Sequence, residues 1–346
     1  MKYGCLISRL PVANILNKAV AGRPYMHTYL RNKAAWLQLM IFGALTFGLL
    51  LLAQAVGGTI IAHLNHMTLM QLSSISPNDF GRPEFAGIIK GLLIVSSIGI
   101  FILPAFVFSY LADPHPLTYL GIRPPQKNSF LLIGLITIIA AYFAVEMLAS
   151  ANESIVYLLP RSTQQWILKF ENEANGQMKN ILSMKNPFDL LLTILLAGAL
   201  PAISEELFFR GILQKLFIQI FRSVWPGIIF TAFLFSAFHM QFMGFIPRMA
   251  LGVILGALYW YSGSIYTSMV GHFIFNSINV FLIYFKVADL DSNSSIGLGY
   301  TLIGVASLDI VIFLIKYLRK QSSTTYATEF PPVKEYNIFD EPDERA

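Results

Sequence analysis

Charge is scarce in this chain. Of its 346 residues only 12% are Asp, Glu, Lys or Arg, 55% are hydrophobic and the mean hydropathy is +0.61, a balance that excludes an ordinary soluble domain. Cysteine is almost missing: Cys5 alone permits no internal disulfide and no cysteine metal cluster. There is no Walker loop and no HExxH, so neither a phosphate cradle nor the helix of a soluble zincin is available. No repeat and no second domain is evident. Acidic residues are missing from residues 1–33, which carry Lys2, Arg9, Lys18, Arg23, Arg31 and Lys33. That bias places the N-terminus in the cytoplasm. A pI near 9.1 could suggest nucleic acid as a partner, but the basic residues stand beside apolar segments, where they act as topology signals, so nucleic acid is excluded.

What is abundant is apolar sequence in span-length blocks. The expected fold is all-α: a polytopic transmembrane bundle of about eight helices filling residues 34–320, after a basic cytoplasmic segment 1–33 and before a polar, disordered cytoplasmic tail 321–346. The first long run starts near Ala34 with the length of a full span, so no cleavable signal peptide is expected. Helices are expected from about Ala34, Ala86, Ser129, Phe188, Trp225, Arg248, Ile265 and Gly297. Between the third and fourth, Trp166, Phe170, Ala174, Met178 and Leu182 recur every four residues, which predicts an amphipathic helix on the membrane surface. The basic residues Lys316, Arg319 and Lys320 return the last helix to the cytoplasm, so both termini lie there, and Trp36, Trp225 and Trp260 are expected in an aromatic belt.

Three short polar signatures interrupt the apolar pattern between Leu200 and Asn276: SEELFFRG, FSAFH and GHFIFN. Adjacent carboxylates at membrane depth are costly and normally face a protein interior or water. Arg210 lies four residues beyond Glu206, so the two can pair on one helix face; Glu205 points about 100° away and is free to act as a general base. His272 and Asn276 share a face of a second helix, and His239 stands on a third with Phe235 beside it. Any one such histidine is more often an interhelical hydrogen-bonding residue than a ligand, and the Glu206 and Arg210 pair reads as structural. If the three helices converge, Glu205, His239, His272 and Asn276 form a hydrolytic site. There Glu205 activates water, and either a metal such as zinc or the histidines polarise the scissile carbonyl. Phe235 offers no acid, base or ligand atom and serves as packing.

EExxxR, FxxxH and HxxxN, in that order over separate apolar helices, resemble the CPBP family of intramembrane proteases, which includes the type II CAAX prenyl endopeptidases and the bacterial Abi or bacteriocin-processing proteins. The resemblance implies that Glu205 is the catalytic glutamate, Glu206 and Arg210 its supporting pair, and His239, His272 and Asn276 the remaining site residues. It also implies a substrate that is membrane-embedded or lipid-modified. It covers about the C-terminal half of the membrane domain. GLGY at Gly297 lacks the aspartate of a GxGD protease, and Ser264 has no catalytic partner in sequence. The competing reading is a noncatalytic transporter, immunity or scaffold protein that keeps the fold, since intramembrane Glu, Arg, His and Asp also mark ion pathways. Asp309, in mid-helix, is used by neither reading. The expected location is a bacterial plasma membrane.

Overall fold

The computed structural model describes residues 29–76, 79–287 and 297–330. The expectations for Lys2, Arg9, Lys18 and Arg23 and for the acidic end of the tail lie outside the described residues. The described chain is helical throughout, with no strand among those residues. Seven helices are long and apolar enough to cross a membrane: α1 (Ala35–Leu64), α2 (Pro83–Ala112), α3 (Ser129–Tyr157), α5 (Pro187–Phe221), α7 (Phe245–Ser262), α8 (Ile265–Tyr284) and α9 (Leu298–Gln321). The amphipathic α4 (Arg161–Ile181) precedes α5, and a shorter apolar helix, α6 (Val224–Ala237), precedes α7. The protein is an integral membrane protein with the all-α bundle that its periodicity predicts.

Local chemistry sets the boundaries. Proline opens α5 at its first position, where the missing N–H is not needed, and the Asn186 carboxamide oxygen accepts the N–H groups of Phe188 and Asp189 at 2.9 and 3.0 Å. Gly263, at φ +68°, stops α7 in the left-handed region, and Ser264 then caps α8. Such a turn between two helices keeps α7 and α8 adjacent.

The most enclosed span is α7, two-thirds buried, whose Leu251, Ile254, Leu255 and Leu258 pack with Phe130 and Ile138 of α3 and Ile228 of α6. Trp260 departs from expectation. Rather than joining an aromatic belt it is 3% exposed and stacks on Phe330. That contact exists because the chain beyond Gln321, expected without structure, returns to the bundle as far as Phe330 through α10 (Tyr326–Glu329). Glu329 pairs with Arg123 at 2.5 Å, and Gln126 donates to the Thr324 hydroxyl.

α5 runs well past the acidic pair to Phe221, and Lys215 within it is buried, its ammonium donating to the Tyr119 carbonyl with Glu329 at 3.9 Å. Glu205 therefore lies about 24 Å before the end of the helix, at 1.5 Å per residue. α4 forms where the four-residue stripe predicts. It buries Ile167, Glu171, Asn180 and Ile181 against the protein, while Trp166, Phe170 and Met178 stay exposed.

Candidate active site

The acidic pair sits in a stretch of α5 whose helical winding changes twice. In a regular helix the ring of Pro201 would strike the carbonyl four residues earlier. α5 widens into a π-helical turn over Ile194–Ala199 just before it, as α2 does over Ser97–Ile102 before Pro104. A further π turn spans Phe209–Leu213. The segment Leu200–Phe208 is thus bracketed by two widened turns, an arrangement common at functional sites.

Glu206 faces inward and is fully buried. Its Oε1 is 3.0 Å from Arg210 Nη1, the expected pair one turn on, and 3.0 Å from His272 Nδ1 of α8. The pair was legible in the spacing. The tie to His272 was not, because it joins residues 66 apart in the chain. Arg210 is 1% exposed; its Nη2 donates to the Gly252 carbonyl of α7 at 3.2 Å and its guanidinium carbon lies 4.6 Å from the centre of the Phe235 ring. One buried carboxylate thus links α5 to α8, and its arginine links α5 to α7 and α6. Leaving either charge without the other would be expensive in such a place.

Phe235 is the hub of the histidines. Its ring makes edge contacts with His239 at 5.2 Å and with His272 at 5.8 Å between centroids. The three signatures therefore converge. Simple counting along straight helices puts the histidines at different depths, but α6 ends at Ala237 and His239 lies in the turn beyond it, folded back onto the Phe235 carbonyl. That carbonyl lies 2.8 Å from His239 Nδ1. An oxygen acceptor at Nδ1 fixes the tautomer in each ring: Nδ1 carries hydrogen and donates, and in the neutral imidazole Nε2 is left with its lone pair. Two neutral imidazoles so arranged accept hydrogen bonds at Nε2, which serves a water better than an oxyanion.

Glu205 is left partly exposed. Its Oε2 has no hydrogen-bond partner, and its ionisable neighbours are His272, Glu206, Arg210 and Arg248. Asn276 follows His272 by one turn, on the same face, half-buried and with no hydrogen-bond partner among the described residues. Sequence reasoning missed Arg248. It opens the second turn of α7, donates from Nη2 to Gln241 Oε1 at 2.9 Å, leaves Nη1 buried without a partner and has Glu171 and Glu205 as charged neighbours. A single arginine four residues into an apolar helix was the available signal. The turn carrying it is held from two sides: Asn152 of α3 donates to the Phe242 and Met243 carbonyls at 2.8 and 2.7 Å, and Glu171 of α4 accepts the Met243 N–H at 2.9 Å.

The same residues fit a metal poorly. No group of three or more His, Cys, Asp or Glu side chains is gathered to hold a metal ion among the described residues. The Nδ1 bonds leave each imidazole its Nε2 alone as a ligand atom, and a tetrahedral zinc needs several nitrogen, sulfur or carboxylate donors at about 2.0–2.3 Å. Of the metal set weighed from the sequence, Glu205, His239, His272 and Asn276, the first three are not gathered into one group of donors among the described residues.

A second missed signal is GVILG, Gly252 to Gly256. Glycines four apart on a membrane helix allow close backbone approach. A Cβ on Gly252 would stand 3.0 Å from the Cβ of Ala232, and on Gly256 3.0 Å from Ile228 Cγ2. With α7 this close, Arg210 and Gln214, one turn apart on α5, donate to the Gly252 and Gly256 carbonyls at 3.2 and 3.0 Å.

Residues 187–278 match the family model described as type II CAAX prenyl endopeptidase Rce1-like. The chain is also 28% identical over 129 residues, 36% of its length, to the uncharacterized protein YpbD of Bacillus subtilis (strain 168), and it spans 61% of that relative's length. No solved structure matches the chain. The matched segment runs from the first residue of α5 to two residues beyond Asn276 and holds every side chain of the polar cluster on α5 to α8. Over 187–278, about a quarter of its length, the chain is therefore similar to the Rce1-like type II CAAX prenyl endopeptidases.

Proposed function

We propose that the protein is an intramembrane endopeptidase that uses a glutamate-activated water to cleave a peptide bond in a membrane-embedded or lipid-modified substrate. The observation that carries this reading is the division of labour between adjacent carboxylates. Glu206 is paired through Oε1 with Arg210 and with the N–H of His272, its Oε2 being buried without a hydrogen bond, while Glu205 has no hydrogen bond or ion pair among the described residues. An unpaired carboxylate in a low-dielectric site is suited to general-base work, and stability alone gives no reason to keep it.

In this reading Glu205 removes one proton from water while the Nε2 of His272 or of His239 accepts a hydrogen bond from the other O–H and orients it. The hydroxide attacks the scissile carbonyl carbon, and Asn276 donates its amide N–H to the oxygen that becomes negative. The C–N bond then breaks, and the proton held by Glu205 passes to the leaving nitrogen. One water is consumed, giving one carboxylic acid and one amine. Glu206 acts through His272 as a positioning residue. No step is routed through a metal.

The family match supports a prenylated C-terminal segment as substrate and the bacterial relative a bacterial plasma membrane; the basic residues beside the first and last spans support both termini being cytoplasmic. The test is cleavage of a farnesylated CAAX peptide by the full chain in lipid nanodiscs. Glu205→Gln should lower the rate by about 10²–10⁴ or more, the range of general-base contributions, while keeping the wild-type melting temperature. Wild-type turnover by that variant would overturn the reading, and would leave a noncatalytic membrane role.

A further inference from the structure

Asp309 belongs to no site described above. It is the twelfth of the 24 residues of α9, so at 1.5 Å per residue it lies roughly 17 Å from either end, at the middle of the span. It does not face the bundle. Gly304, Ser307, Val311, Ile315 and Leu318 form the buried seam of α9, with Gly304 against Met147 of α3. Asp309 lies two positions from Val311, so it points to the opposite side, where it is exposed among Leu302, Val305, Ile312 and Phe313. Among the described residues its carboxylate has no hydrogen bond and no ion pair. An ionisable side chain at this depth is expensive unless it is paired, and such groups in membrane proteins meet a partner.

We propose that this face of α9 docks a transmembrane helix of another protein that carries a Lys or Arg at mid-span. Charge complementarity selects this occupant over a second copy. The cations within the described spans are buried or half-buried, as Arg210, Lys215, Arg248 and Lys90 are, or lie in the last turns of α9, as Lys316, Arg319 and Lys320 do. A second copy related by an axis along the membrane normal would set Asp309 against Asp309, like against like. Lipid alone offers the carboxylate nothing at this depth. The inference is independent of the proposed proteolysis.

The probe is a labelled Leu/Ala transmembrane peptide with one central Lys, compared with peptides bearing central Leu or Glu. Binding to the full chain in phosphatidylcholine liposomes would be read by energy transfer. The Lys peptide should bind at least about tenfold more tightly than the other two, and Asp309→Asn should bring all three within about twofold. Equal binding by the wild-type chain would overturn the proposal without recourse to any variant. So would self-association: in a Cys5→Ser background, Ala306→Cys lies one turn from Asp309 on the same face, and a crosslinked dimer lost in Asp309→Asn would show that a second copy covers it.

Discussion

The imidazole of His272 and the carboxylate of Glu206 meet at 3.0 Å, and the same oxygen of Glu206 holds Arg210 at 3.0 Å. One buried oxygen therefore serves as the acceptor for both an architectural cation and a site histidine. This sharing makes the first helix turn after Pro201 inseparable from the face of α8 that carries Asn276, and each part can be tested separately.

Removing the cation should unfold the region. Arg210→Met would leave Glu206 buried with only His272 for compensation, and breaking such a pair costs about 3–5 kcal/mol. Expression and melting temperature in detergent should both fall sharply. The double variant Glu206→Gln, Arg210→Met removes both charges and should regain much of that loss, which a melting series of the three variants would read.

Removing the imidazole while keeping a donor should do the opposite. His272→Gln can still present an N–H toward Glu206 but has no Nε2 lone pair, so folding should survive and turnover fall by about 10²–10⁴. Peptide cleavage and melting temperature, measured on the same preparation, separate the two effects. A variant that melts early without losing rate would show His272 to be structural only.

Much of this was legible in the sequence, and the parts that were not share a cause. The EExxxR, FxxxH and HxxxN spacings fix faces on single helices, so the Glu206 and Arg210 pair could be read directly. The stripe of Trp166 and Phe170 likewise predicts α4. Contacts between distant segments could not be read this way. The Glu206 to His272 tie spans 66 residues, and the burial of Lys215 depends on Tyr119 and Glu329, far apart in the chain. Trp260 looked interfacial because nothing local shows that Phe330 covers it. Arg248 was overlooked because it matches no spacing, though an isolated arginine in an apolar helix was a signal in itself.

The metal-free reading has a direct test. Because no set of three His, Cys, Asp or Glu donors is gathered among the described residues, purified protein should hold well under one zinc per chain by elemental analysis. Cleavage should likewise withstand a chelator. About one zinc per chain, lost in His272→Ala, would show instead that the side chains rearrange around a metal.

The returning chain end should contribute to stability. Glu329 pairs with Arg123 and stands 3.9 Å from the buried Lys215, so Glu329→Ala withdraws a charge partner from both. Hydrogen bonds to charged groups contribute about 1.5–3 kcal/mol, and 1 kcal/mol shifts melting by roughly 2–4 °C for domains of 150–250 residues. A fall of several degrees is therefore expected for Glu329→Ala, with little change for Thr328→Ala, whose capping contacts are exposed.

Gly252 offers the sharpest link between packing and chemistry. A methyl group there would press on Ala232 Cβ at 3.0 Å, its Cα at 3.1 Å and Phe235 Cδ1 at 3.3 Å, so α6 and α7 must separate to admit it. Separation stretches the 3.2 Å bond from Arg210 to the Gly252 carbonyl and displaces the ring that both histidines rest on. Overpacking of this kind costs about 1–3 kcal/mol, so Gly252→Ala should remain folded but melt earlier. Its rate loss should exceed what the lost stability explains, because the shift is applied at Phe235. Gly87, with nothing within 4 Å of its added Cβ, is the matched control, and Gly87→Ala should change neither melting nor rate. If Gly252→Ala melted early but cleaved at the wild-type rate well below its melting point, Phe235 would have no part in placing the histidines.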